Sequence, residues 1–376
     1  MTVTLENLIT LIITILCAFL ISFTTTPIAR VLAFKVKAID VPKDTRRMHK
    51  KPIPRMGGLA IFLGFALTSL VFCEPSIQLF GMLLGAAILV VVGIFDDIYS
   101  LPALLKLFLQ LLSAAVATLM GNTITGVSFF GTYISLGIFA IPLTIIWITA
   151  LINAVNLIDG LDGLSCGVSA ISCVSLLLSA FFLPEPSFAV ILLIAALAGS
   201  CIGFLPFNFN PASIFMGDTG AMFLGYALAI ISIQGFFKVD ALMSFWIPFL
   251  VFALPIFDTT FAFGRRILKG QSPFTADRGH IHHKLIDMGF TQKQSVMILY
   301  SICGMLGVSA VLFAKDSPSA GIVVLLAALL IYLCNWIFVN KNPKTREYMG
   351  MGLPVDEEAF AHCDTNESDK TENENK

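Results

Sequence analysis

The chain is 376 residues long, 57% hydrophobic and only 12% charged, with a mean hydropathy of +0.89. Soluble domains carry about 25% charged residues, so this composition excludes an ordinary soluble domain, gives no footing for a nucleic-acid partner and indicates a polytopic membrane protein. The net charge of −1 hides an asymmetry: residues 354–376 hold eight acids and two lysines, leaving 21 basic against 16 acidic residues elsewhere.

A spanning helix needs roughly 20 apolar residues. By that measure about eleven are expected, centred near residues 18, 65, 86, 112, 144, 174, 196, 227, 252, 304 and 330. The fold class is therefore all-α, a polytopic helical bundle in the bilayer. The first segment opens Met1-Thr2-Val3-Thr4-Leu5-Glu6, with no basic flank and no small-residue cleavage site, and reads as a span rather than a cleaved signal. The loop 35–55 holds eight basic residues and the loop 265–293 six more; with eleven spans both lie on one side, and only Lys238 and Lys315 face the other. The positive-inside rule then sets the N-terminus outside and the C-terminus in the cytoplasm. Residues 1–345 form the transmembrane domain, and 346–376 an acidic, disordered cytoplasmic tail. The eight cysteines show no metal-ligand spacing and read as small packing residues.

On this topology the polar residues gather in the inner connections. Asp96-Asp97 end the third apolar run. Two carboxylates at a helix C-terminus oppose the dipole and each other, so they require a cation or positive side chain, or else are a solvated helix-end pair. Lys106 is the only basic residue of the next span, either snorkelling or contacting phosphate. Asn153-Ala-Val-Asn156-Leu-Ile-Asp159-Gly160-Leu-Asp162-Gly163 spaces two amides and two carboxylates three residues apart. Oxygen ligands at this density suit a hard cation such as Mg²⁺ and, through it, a phosphate. Gly160 and Gly163 are expected to break the helix there.

Asn208-Phe-Asn210-Pro211 and Phe215-Met-Gly217-Asp218-Thr219-Gly220 precede the eighth span. Asp218 or Thr219 reads as an N-cap, and the same glycine-flanked helix start suits phosphate or metal. Asp258, about two turns before Arg265, is expected to pair with a basic residue of the following loop, which holds Arg278, His280, His282 and His283. Those histidines suit phosphate or sugar contact better than Zn²⁺, because basic residues and no cysteine surround them.

Together these motifs, with Arg55-Met-Gly57-Gly58, resemble the polyprenyl-phosphate N-acetylhexosamine-1-phosphate transferases, the glycosyltransferase 4 group that starts teichoic acid and O-antigen synthesis. The resemblance runs from about Pro42 to Phe290. It implies transfer of N-acetylglucosamine 1-phosphate from UDP-GlcNAc to undecaprenyl phosphate with release of UMP. It also implies dependence on Mg²⁺, with Mn²⁺ as a substitute, and a multi-pass place in the inner (plasma) membrane with a cytoplasmic site. By resemblance Asp96, Asp97, Asp159 and Asp162 are the catalytic candidates, and Asn156 and Asp218 the metal ligands. Lys106, Asn153, Asn210, Arg265, Arg278, His280, His282 and His283 are the substrate-binding candidates. The phospho-MurNAc-pentapeptide translocases share the aspartates but show consecutive histidines where Ile281 intervenes here. A transporter would instead carry repeats and midplane charges. The exact N-acetylhexosamine, homodimer formation, and a direct or aspartyl-phosphate route are left open.

Overall fold

The computed structural model describes residues 4–41, 52–129, 132–184, 186–237, 246–268, 270, 280–315, 317–327 and 329. His49, Arg278, the expected span near residue 330 and the acidic tail lie outside the described residues.

Apolar runs become helices in the order α1 (Leu5–Lys35), α2 (Gly58–Phe72), α3 (Ile77–Tyr99), α4 (Ala103–Leu119), α5 (Ala140–Leu157), α6 (Leu164–Ala180), α7 (Phe188–Asn208) and α8 (Gly217–Ser232). Beyond them come α9 (Trp246–Val251), α10 (Ala253–Leu268), α11 (Ile281–Asp287), α12 (Gln292–Ala314) and α13 (Pro318–Ala327). Two short antiparallel pairs interrupt the helices: β1 (Ile39–Asp40) with β2 (Ile53–Pro54), and β3 (Gly126–Phe129) with β4 (Thr132–Ser135).

Six of these segments are long and apolar enough to cross a membrane, and α2, α4, α6 and α13 are shorter apolar helices. The protein is a polytopic helical membrane protein. Apart from residues 252 and 330, each expected span centre falls inside a described helix. Residue 252 falls on the break between α9 and α10, where Pro255 has no N–H to donate to the Val251 carbonyl. Helix starts follow capping chemistry: Thr4 accepts from the Asn7 amide, Ser76 from the Leu79 amide, and Thr291 forms a capping box with Gln294.

Helix α8 is the hub. Every residue from Thr219 to Ser232 is buried, as expected of a helix that is apolar on all sides. It packs against α3, α5 and α2. The approach of α3 is close enough that a Cβ at Gly93 would meet the Thr219 backbone. This close crossing sets the C-terminal end of α3 beside the N-terminal end of α8. By contrast α1 turns Leu5, Leu8, Ile12, Leu16 and Leu20 outward, the apolar surface that lipid requires.

Candidate active site

Asp97, in the last turns of α3, reaches the start of α8 and accepts three hydrogen bonds there. Its Oδ1 takes the Asp218 amide at 3.0 Å, and its Oδ2 takes the Thr219 amide at 3.2 Å and the Thr219 hydroxyl at 2.6 Å. An α-helix start leaves its first amides without partners, and here a carboxylate from another helix satisfies them. The expected cap by Asp218 or Thr219 is therefore corrected: α8 begins at Gly217 with Met216 before it and no cap from its own side chains. Gly217 adopts φ +73°, and a Cβ there would collide with the Asp97 carboxylate.

Asp96 turns the other way. Its Oδ1 accepts the Leu101 amide at 2.7 Å, fixing the turn into α4, and its Oδ2 pairs with Lys106 Nζ. The same Nζ lies 3.2 Å from Asp218 Oδ1. Asn156, in the last turn of α5, donates from Nδ2 to that oxygen at 2.6 Å. One cation and one amide thus converge on Asp218, from α4 and α5. Asn153, one turn earlier, faces Gln110 of α4 instead, donating to its Oε1 at 2.8 Å.

Asp159 follows in the turn between α5 and α6. It is half-buried, and its carboxylate has no hydrogen-bond partner among the described residues. Loss of water and the neighbouring Asp218 and Asp97 charges push it up to about 8, against a smaller pull from Arg55. Arg55 itself pairs with Asp40 at 3.1 Å. It was not among the expected site residues, although it opens the Arg55-Met-Gly57-Gly58 run.

The remaining candidates form a second group. Asp162 Oδ2 accepts from Asn210 Nδ2 at 2.9 Å and from the Ala212 amide at 3.1 Å, while Asn210 also donates to Gln292 at 2.8 Å. Gly163, at φ +77°, ends the turn as expected, and its carbonyl accepts the Tyr300 hydroxyl at 2.5 Å. Asp258 is paired, as expected, with a residue of the following loop: His280 Nδ1 at 2.9 Å, with the Ile281 amide on its other oxygen at 2.9 Å. His282 lies against Gly160 and beside the His280 and His283 rings. Burial, then the His283 charge, lower its pKa to about 4, so it is neutral at pH 7. Arg265 lies near the C-terminal end of α10. Gln292 and Tyr300 gave no sequence signal, because each acts through one contact to a distant turn.

Among the described residues no three His, Cys, Asp or Glu side chains converge as a ready metal cage. Mg²⁺ does not require one, since it keeps waters and is held by one or two carboxylates plus substrate phosphates. The donor set fits it. Asp96, Asp97, Asp159 and Asp218 gather at one end of the bundle with Lys106 and Arg55 as the neighbouring cations among the described residues, and a divalent ion would offset that excess of negative charge.

A family profile described as glycosyl transferase family 4 matches residues 79–236, the stretch that carries Asp96, Lys106, Asn156, Asp159 and Asp218. A probable undecaprenyl-phosphate N-acetylglucosaminyl 1-phosphate transferase of Bacillus subtilis (strain 168) is 40% identical over 311 residues, 81% of this chain and 86% of the relative. The chain belongs to the polyprenyl-phosphate N-acetylglucosamine-1-phosphate transferase family. A decaprenyl-phosphate N-acetylglucosaminephosphotransferase of Mycobacterium leprae (strain TN) is 32% identical, covering 84% of this chain and 87% of its own. An undecaprenyl-phosphate alpha-N-acetylglucosaminyl 1-phosphate transferase of Escherichia coli O157:H7 is 29% identical, covering 87% and 91%. As a member of this transferase family the protein is an enzyme, and it is a multi-pass membrane protein.

Proposed function

We propose that this transferase moves N-acetylglucosamine 1-phosphate from UDP-GlcNAc to undecaprenyl phosphate, releasing UMP, as the first membrane step of a cell-envelope polysaccharide of teichoic acid or O-antigen type. The site faces the cytoplasm, with eleven spans, the N-terminus outside and the C-terminus inside, supported by the distribution of basic residues. The observation that carries the reading is Asp218 held between Lys106 and Asn156 beside Asp159, which has no hydrogen-bond partner among the described residues.

In the reaction an oxygen of the lipid phosphate bonds to the sugar-linked phosphorus of the donor. The bond from that phosphorus to the bridging oxygen breaks, and the bridging oxygen leaves with UMP. Both partners are anions, so positioning and charge neutralisation dominate the barrier. Asp218 and Asn156 would hold Mg²⁺, which supplies charge neutralisation at the diphosphate. Lys106 holds Asp218 in place and adds positive charge. Asp159, in its ionised fraction, takes the residual proton of the lipid phosphate; with its carboxyl pushed up to about 8, that fraction grows as pH rises toward 8. Asp97 keeps the α8 start rigid under Asp218.

The test is UMP release by membranes containing the protein, supplied with UDP-GlcNAc, undecaprenyl phosphate and Mg²⁺, with UDP-MurNAc-pentapeptide run in parallel. Lipid-linked GlcNAc and UMP from the first donor alone are expected. No UMP from either donor, or UMP from the pentapeptide donor alone, overturns the reading.

A further inference from the structure

Lys106 is already committed, with Asp96 and Asp218 both on its Nζ. Among the described residues, a cation next to the site with capacity left is Arg55. Its guanidinium offers five N–H donors, and among the described residues its one ion pair runs from Nη2 to Asp40 Oδ2 at 3.1 Å. The Arg55 side chain is 34% exposed, whereas the Asp40 side chain is 9% exposed, so the buried acid anchors one end of the arginine and leaves the rest of the fork without an ion pair among the described residues.

The backbone around Arg55 is fixed to the segment that delivers Asp218. The Arg55 amide donates to the Ala38 carbonyl at 2.9 Å, and Arg55 bridges to Phe215. Phe215 donates to the Pro54 carbonyl at 2.8 Å and accepts from the Gly57 amide at 2.9 Å. Phe215 stands three positions before Asp218. Arg55 is thus held at the lip of the site, and its charge acts on Asp159.

A merely structural ion pair would tie β1 to the segment after β2. That tie already exists in the backbone, through the pairing of Asp40 with Ile53 and the bond from Arg55 to Ala38. A planar guanidinium fork matches phosphate oxygens two at a time, which a lysine does not.

We propose that Arg55 binds a phosphate group of a substrate beside Asp159, an inference that rests on the transferase reading above. Two groups share this chemistry: the diphosphate of the nucleotide donor and the monophosphate of the lipid acceptor. Steady-state kinetics of the purified full-length protein separate them, with each substrate varied while the other is saturating, for wild type, Arg55→Gln and Arg55→Lys.

Arg55→Gln is expected to raise the KM of one substrate about 10- to 100-fold, leaving the other unchanged. Arg55→Lys should recover part of the loss. A rise confined to UDP-GlcNAc assigns the donor diphosphate; one confined to undecaprenyl phosphate assigns the lipid headgroup. Both KM values unchanged, or a fall in kcat alone with a lowered unfolding temperature, overturns the proposal and leaves Arg55 a scaffold residue. Calorimetric binding of UDP and of a short-chain polyprenyl phosphate to the same proteins needs no turnover. If wild type makes no UMP yet binds either ligand in an Arg55-dependent way, the transferase reading fails and this one stands. Binding indifferent to Arg55 sinks this one independently.

Discussion

The acids of this protein fall into two regions that look alike in sequence and differ in how they are satisfied. On the α6, α11 and α12 side, Asp162 and Asp258 each collect two donors, one of them a backbone amide. At the junction of α3, α4, α5 and α8, Asp218 shares one oxygen between Lys106 and Asn156, and Asp159 has no hydrogen-bond partner among the described residues. A carboxylate saturated by backbone donors is a fastening; one left among like charges is available to a ligand. By this measure Asp97, with two amides and a hydroxyl, belongs with the fastenings although it sits among the reactive group.

The largest effect expected from this division is at Asp218. Asp218→Asn should lower UMP release about 10²- to 10³-fold, the range seen when a group stabilising transition-state charge is lost. Chelation of divalent ions should abolish release in wild type, and added Mg²⁺ should restore it. Activity that survives chelation would remove the reason for the excess of acids.

A second effect separates fastening from chemistry. Asp97→Asn places an amide against the start of α8 and should cost about 1–3 kcal/mol of stability, read as a lower unfolding temperature in detergent. An unchanged unfolding temperature would return Asp97 to the reactive group.

The third is a pH effect on the α11 side. The folded pKa of His282, about 4, lies below the ordinary imidazole value of 6.5. Its stabilising contribution is therefore present above pH 6.5 and is lost as pH falls toward 4, because the unfolded chain binds the proton first. His282→Gln should flatten the fall in unfolding temperature over that window, and a variant tracking wild type would contradict it. The smallest effects belong to the ties from α12. Tyr300→Phe and Gln292→Ala should each lower stability by about 1 kcal/mol, measured by the same unfolding assay.

Much of this was legible in the sequence for one physical reason: charged groups are costly in an apolar chain, so those present stand out. The helices follow the apolar runs, and Asp96, Asp97, Lys106, Asn156, Asp159 and Asp218 do meet. Roles inside the cluster were not legible, because the partners that define them are remote in sequence. Asp97 finds its donors at residues 218 and 219, and Asp162 at 210 and 212. The expected N-cap at Asp218 or Thr219 was supplied from α3 for the same reason. Asn153 and Asn156 lie on one helical face, yet one turn of rise separates a contact to Gln110 from a contact to Asp218. The break at Phe252 did have a signal, Pro255, which the apolar run concealed.

The central claim is that Asp159 is available for chemistry while Asp97 is committed to structure. Measuring UMP release and unfolding temperature together for Asp159→Asn and Asp97→Asn tests it most directly. Asp159→Asn should lose activity and keep its unfolding temperature, since its carboxyl has no hydrogen bond to lose among the described residues; Asp97→Asn should lower that temperature. Retained activity in Asp159→Asn, or a loss of stability equal to that of Asp97→Asn, would contradict the account.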